Sequence, residues 1–101
     1  MQLIKSGQIL PKHVVIQSEG NIVSDMGNEK VMLNIKNGKY YNLGEIGGEI
    51  WESISKPTEV NNLVNHIVKK YDVQTDKCEE EVISFLENLY QESLIKLVVE
   101  E

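Results

Sequence analysis

Catalysis and metal binding need particular side chains within reach of one another, and this 101-residue sequence holds few. Its histidines, His13 and His66, fall in separate predicted elements, and no His/Cys/Asp spacing resembles a zinc site. Cys78 is the single cysteine. It sits near a predicted helix N-terminus, which would lower its pKa, but Glu79, Glu80 and Glu81 follow and push the other way. An ordinary packed or partly exposed cysteine accounts for it. Gly44, Gly47 and Gly48 in "LGEIGGEI" stand between a strand and a helix, but neither G-x-G-x-x-G nor G-K-[ST] is present. Gly47 is expected to let the first helix approach the sheet closely. No catalytic constellation emerges, so the sequence points to a non-enzyme with no cofactor and no metal.

The residues suited to binding lie in "NIKNGKYYNL", 34–43. Asn37-Gly38 predicts a two-residue hairpin turn with both residues at positive φ. The strand after it puts Tyr41 and Leu43 on one face, the core face, and Tyr40 and Asn42 on the other. One edge of that short strand pairs back across the turn, which leaves its other edge open.

The remaining elements must position this strand. Residues 13–18 read as a strand, Glu19-Gly20-Asn21 as a turn, and 22–26 as a continuation or a second short strand. Over 30–36, Val31, Leu33 and Ile35 share one face, while Met32, Asn34 and Lys36 share the other. The period then becomes helical: Ile46, Ile50, Trp51 and Ile54 form a first helix, with Asn42 and Glu45 as a candidate capping box. Pro57 ends it, and Thr58 is expected to cap the next. Val60, Leu63, Val64, Ile67, Val68 and Tyr71 form that second apolar stripe. Val82, Phe85, Leu86 and Leu89 form a third, with Asp76 and Glu79 as its candidate capping box. "LIKLVV", 94–99, is β-prone and could be a terminal strand. Strands segregated from helices mean α+β, and three helices beside a small antiparallel sheet are the winged helix-turn-helix layout.

The composition, 41% apolar and 26% charged, is that of one soluble globular domain over 1–101. No apolar run approaches a membrane span, and the N-terminus is a poor signal peptide. One cysteine fits a reducing cytosol, so a cytoplasmic location is expected. The net charge is −6 and the chain has no arginine. Both argue against a nucleic-acid partner, although the fold class would permit one.

The third helix carries a further strip. Ile83 and Tyr90 flank the core stripe, bordered by Val82, Leu86 and Glu79. Either "LIKLVV" packs there or the strip is the wall of a groove facing the open strand edge.

Taken together, Gly38, Tyr40, Tyr41, Leu43, Gly47, Ile50, Trp51, Pro57, Tyr71, Val73, Phe85, Leu86, Leu89 and Ile95 make a pattern. With it the chain, over about residues 13 to 95, resembles the PqqD-like domains, the precursor-peptide recognition elements of ribosomal peptide biosynthesis. Gly44 stands where the family usually has Asn, and Ser93 where Gly is common. The resemblance implies three strands and three helices, and a precursor's leader peptide added as a strand along the third strand and against the third helix. Carried onto this sequence, the peptide site is Lys39, Tyr40, Tyr41, Asn42 and Leu43 with Glu79, Val82, Ile83, Leu86 and Tyr90. Lys30, Lys36 and Lys39 would suit acidic leader residues. The length resembles the stand-alone leader-binding proteins of lasso-peptide clusters, whose partner is a separate leader protease or other modifying enzyme. A PqqD-like chaperone for a radical-enzyme pathway and a winged-helix DNA binder are the alternatives.

Overall fold

The computed structural model describes residues 8–98. Residues 1–7 of the expected lead-in and Val99 of the expected last strand lie outside them. The elements run β1 (Val14–Gln17), β2 (Asn21–Met26), β3 (Glu29–Asn34), β4 (Tyr40–Leu43), α1 (Gly44–Ser53), β5 (Thr58–Glu59), α2 (Val60–Tyr71), α3 (Thr75–Gln91) and β6 (Ile95–Val98). The architecture is α+β, with the three-stranded antiparallel sheet β2-β3-β4 followed by the three helices. A second small sheet, β5-β1-β6, uses the terminal strand by pairing it antiparallel to β1.

In β3 the alternating face that enters the core is the one carrying Met32 and Asn34, not the more apolar one. Met32 is fully buried, while Val31 and Leu33 are half-exposed and Ile35 is exposed. Asn34 tolerates burial because its side chain is satisfied. Its Nδ2 donates to Asn21 Oδ1 at 2.6 Å, and its Oδ1 accepts the Asn37 N–H at 2.9 Å. That second bond reshapes the hairpin. The Asn34 N–H donates to the Lys39 carbonyl, leaving four residues between them, and only Gly38 takes positive φ (71°). The turn is thus longer than the two-residue form expected from Asn37-Gly38.

The first two helices start one residue after the expected caps, and the third starts with Gln74 as N-cap, two residues before the expected Asp76. Asn42 accepts the Gly44 N–H instead of capping α1, and Thr58 is drawn into β5 with its hydroxyl donating to the Ser53 and Lys56 carbonyls. The N-caps are Leu43, Glu59 and Gln74, none with a side-chain bond. The two departures from the family pattern both sit at left-handed backbone: Gly44 at φ 74° and Ser93 at φ 63°. Asn and Gly are the residues that reach this region at least cost, so the turn geometry agrees with the family's usual choices.

The core gathers Val15, Met32, Ile50, Trp51, Ile54 and the buried stripes of α2 and α3. Two close approaches set its width. A Cβ on Gly47 would lie 2.9 Å from the Phe85 ring of α3, and one on Gly48 would lie 2.8 Å from the Lys30 stem of β3. It is therefore Gly48 that admits α1 to the sheet, while Gly47 admits it to α3. Lys30 is held there by Asp25 and by Glu52 at 2.8 Å, which together raise its pKa. Across α1 and α2, Glu49 meets His66 Nε2 at 2.7 Å and Lys70 Nζ at 2.8 Å, and these partners lower its pKa.

Candidate peptide-binding edge and cleft

β4 ends the order β2-β3-β4, so one of its sides carries no strand among the described residues. The hydrogen-bond phase says which groups face that side. Asn34 and Lys39 are a bonded pair, and the register continues Leu33↔Tyr40, Met32↔Tyr41, Val31↔Asn42. Bonded and non-bonded pairs alternate in an antiparallel ladder. Tyr41 therefore spends its N–H and C=O on β3, while Tyr40 and Asn42 point theirs outward. These are four unpaired backbone groups in a row, and unpaired edges are templates for another chain.

The side chains divide as expected from parity. Tyr41 turns inward, opposite buried Met32, and its hydroxyl donates to Glu92 Oε1 at 3.1 Å. Tyr40 turns outward and is 73% exposed. Lys39 Nζ lies 3.6 Å from the same Glu92 carboxylate. Lys30 is already occupied by its two carboxylates, which leaves Lys36 and Lys39 as the hairpin's exposed lysines.

Just past β4 the inner side opens into an apolar cleft of about 480 Å³. Leu43, Ile46 and Gly47 form one wall, Val82, Phe85 and Glu81 of α3 the other, and Ile67 and Cys78 lie deeper. Ile46 is 41% exposed, a large apolar side chain left at the rim. Cys78 is buried, and its pKa is raised by that burial and then by Glu81. A buried thiol with a raised pKa is a packing group and not a nucleophile. Among the described residues no group of three or more His, Cys, Asp or Glu could hold a metal ion. No described helix is long and apolar enough to cross a membrane.

The flank of α3 that borders β4 is not the one expected. Phe85, Glu81 and Glu92 lie beside the strand and cleft, whereas Ile83, two residues from Phe85, points about 200° around the axis from it. Ile83 and Glu79 share a shallow depression with Asp76, Glu80, Ser84 and Glu87. On that flank Glu87 Oε2 accepts the Ile9 N–H at 2.9 Å, and Ile9 is buried. The N-terminal lead-in is thus tied to the Ile83 flank through Glu87, and β6 of "LIKLVV" also packs against α3. Leu86 is fully buried and Val82 nearly so, with only Val82 reaching the cleft. Of the expected site residues, the structure brings together Lys39 to Leu43 and Val82, and it sets Glu79, Ile83 and Tyr90 apart from them. Ile46, Phe85, Glu81 and Glu92 were not among them. One hint was present in the spacing: on the helical wheel Ile46 and Phe85 lie at the lateral edges of their apolar stripes, where burial is incomplete.

An α+β winged helix-turn-helix layout in which the open edge of β4 lies beside an apolar cleft defines a class of small recognition domain. A family model described as coenzyme PQQ synthesis protein D (PqqD) matches residues 29–95, and the chain belongs to that family. Two solved structures share the fold. One, TbiB1 in complex with the TbiA(beta) leader peptide, is 22% identical, with TM-score 0.73 over 84% of this chain and 99% of that one. The other is the PqqD truncation of Methylobacterium extorquens PqqCD, described as a functional, stand-alone recognition element for ribosomally synthesized and post-translationally modified peptides. It is 14% identical, with TM-score 0.77 over 92% and 99%. No curated protein sequence matches the chain.

Proposed function

We propose that this chain is a non-catalytic recognition domain that binds the leader segment of a ribosomally made precursor peptide. It would present that precursor to a separate leader protease or other modifying enzyme, as in lasso-peptide pathways. The observation that carries this reading is the row of outward N–H and C=O groups on Tyr40 and Asn42 beside the cleft of Leu43, Ile46 and Phe85. Strand addition takes affinity from main-chain hydrogen bonds and specificity from pockets beside the strand, and both parts are present here. The binding residues on this reading are Lys39 to Leu43, with Val82, Phe85 and Ile46 forming the pocket. A large apolar leader side chain buried in the cleft would contribute about 1.5–3 kcal/mol. A cytosolic setting suits the single thiol. An acidic chain without arginine gives a DNA-binding reading nothing to build on.

Titration calorimetry with a proline scan of the leader tests the reading. Proline at positions that donate to β4 should weaken binding by about 1–3 kcal/mol, with alternate positions spared. A loss that does not alternate, or no binding at all, would sink it.

A further inference from the structure

The outer face of β2-β3-β4 has a character of its own. Ile22 stands opposite Leu33, and Leu33 opposite Tyr40, so three apolar side chains form one row across the sheet. Ile22 is 52% and Tyr40 73% exposed, and Glu29 is the one charged residue whose register puts it on this face. In a chain that is 26% charged, such a face is a deliberate exception. It is too small to hold a second copy face to face. Three strands about 4.8 Å apart and about 20 Å long offer roughly 300 Å², against the ~800 Å² per partner of a stable complex. The row is instead continuous with the open edge, because Tyr40 ends it and Tyr40 also aims its backbone groups outward.

We propose that the row Ile22–Leu33–Tyr40 is a second specificity element, completed by the bound peptide itself. This inference rests on the strand-addition reading above. A strand hydrogen-bonded to Tyr40 places the side chain of the residue paired with it on the same outer face. That residue lies beside the Tyr40 ring, while the one carboxylate on this face, Glu29, is engaged by the Asn42 amide at 3.2 Å. The side chain that fits is aromatic or β-branched, the kind that gains most from such cross-strand neighbours. The peptide is therefore read on both faces: by the cleft and α3 on the inside, and by Tyr40 on the outside.

Panning a random-peptide phage library against the full chain, Tyr40→Phe and Tyr40→Ser tests this. Wild type and Tyr40→Phe should enrich peptides sharing an alternating pattern, with an aromatic or β-branched residue at one outward position. Tyr40→Ser should lose that one preference, keep the inward ones, and bind the wild-type consensus about two- to fivefold more weakly. Its melting temperature should fall only slightly, through the lost cross-strand contact with Leu33, since the side chain is otherwise exposed. An unchanged consensus and affinity for Tyr40→Ser would overturn the inference while leaving strand addition standing. Loss of every preference would also overturn it, because Tyr40 would then hold the edge and not read a side chain. If wild type enriches no peptide, the peptide-binding reading fails, and this inference with it.

Discussion

The two flanks of α3 have similar raw materials and different surroundings. Both carry a large half-buried apolar side chain with carboxylates near it: Phe85 with Glu81 and Glu92 on one side, Ile83 with Glu79 and Glu87 on the other. The Phe85 flank borders an open strand and a cleft. The Ile83 flank is tied to the N-terminal lead-in through Glu87 and Ile9. On the proposed reading, what separates a binding wall from a packing surface is which neighbours the fold brings, not the residues on the helix.

The largest test exchanges the two flanks. Phe85→Asp should reduce leader affinity at least tenfold, by charging the cleft wall and removing ~1.5–3 kcal/mol of apolar burial, and should also lower the melt because Phe85 packs against the core. Ile83→Asp should leave affinity within about twofold, because its loss falls on packing and stability. Calorimetric titration with circular dichroism melts on the same samples reads both. The opposite ranking would move the groove to the Ile83 flank.

A smaller effect comes from the strand between them and the solvent. Asn42→Pro deletes one outward N–H and no ladder bond, so leader affinity should fall by about 1 kcal/mol; loss of the Asn42 side-chain bonds to Gly44 and Glu29 should lower the melt, but less than a broken ladder would. Tyr41→Pro deletes a ladder bond and should destabilise the sheet itself. If the two variants melt alike, the hydrogen-bond phase assigned to β4 is wrong.

Much of this was legible in the chain. The three apolar stripes mark the helices, and the parity of Tyr41 and Leu43 sets the inward face of β4. The open edge follows from a short strand that runs straight into a helix. Three things were not legible, each for a physical reason. The core face of β3 was hidden because a buried Asn34 looks polar until its partners Asn21 and Asn37 are known. The hairpin length was hidden for the same reason, since Asn34 holds the turn open. The choice of flank on α3 depends on Gly47 meeting Phe85 and on Ile9 reaching Glu87, contacts between residues far apart in sequence. Helical periodicity finds a stripe but says nothing of what lies on either side of it.

On the Ile83 flank, Glu87→Gln should weaken the charge-assisted bond to the Ile9 N–H. A stability loss of about 0.5–1.5 kcal/mol is expected, with leader affinity unchanged. Denaturant unfolding reads the first and calorimetry the second. A matching loss of affinity would mean that the lead-in and the peptide site are coupled, and that the two flanks are not independent.

The smallest effect belongs to the other flank. Lys39 and Glu92 are 61% and 43% exposed at 3.6 Å, and an ion pair so exposed contributes at most about 1 kcal/mol. Lys39→Ala should therefore lower the melt only slightly. Its position is what matters: it is exposed immediately before β4, beside the open edge proposed to take the peptide. Charges at a rim act on encounter more than on residence, so the variant should change the association rate and its dependence on salt, with dissociation unaltered. The sign depends on the leader. An acidic leader should associate more slowly with Lys39→Ala, and a basic one faster, because Glu92 is then left without its neutralising partner. Stopped-flow rates that ignore both the substitution and the ionic strength would remove the pair from recognition and leave the Phe85 flank to act by shape and burial alone.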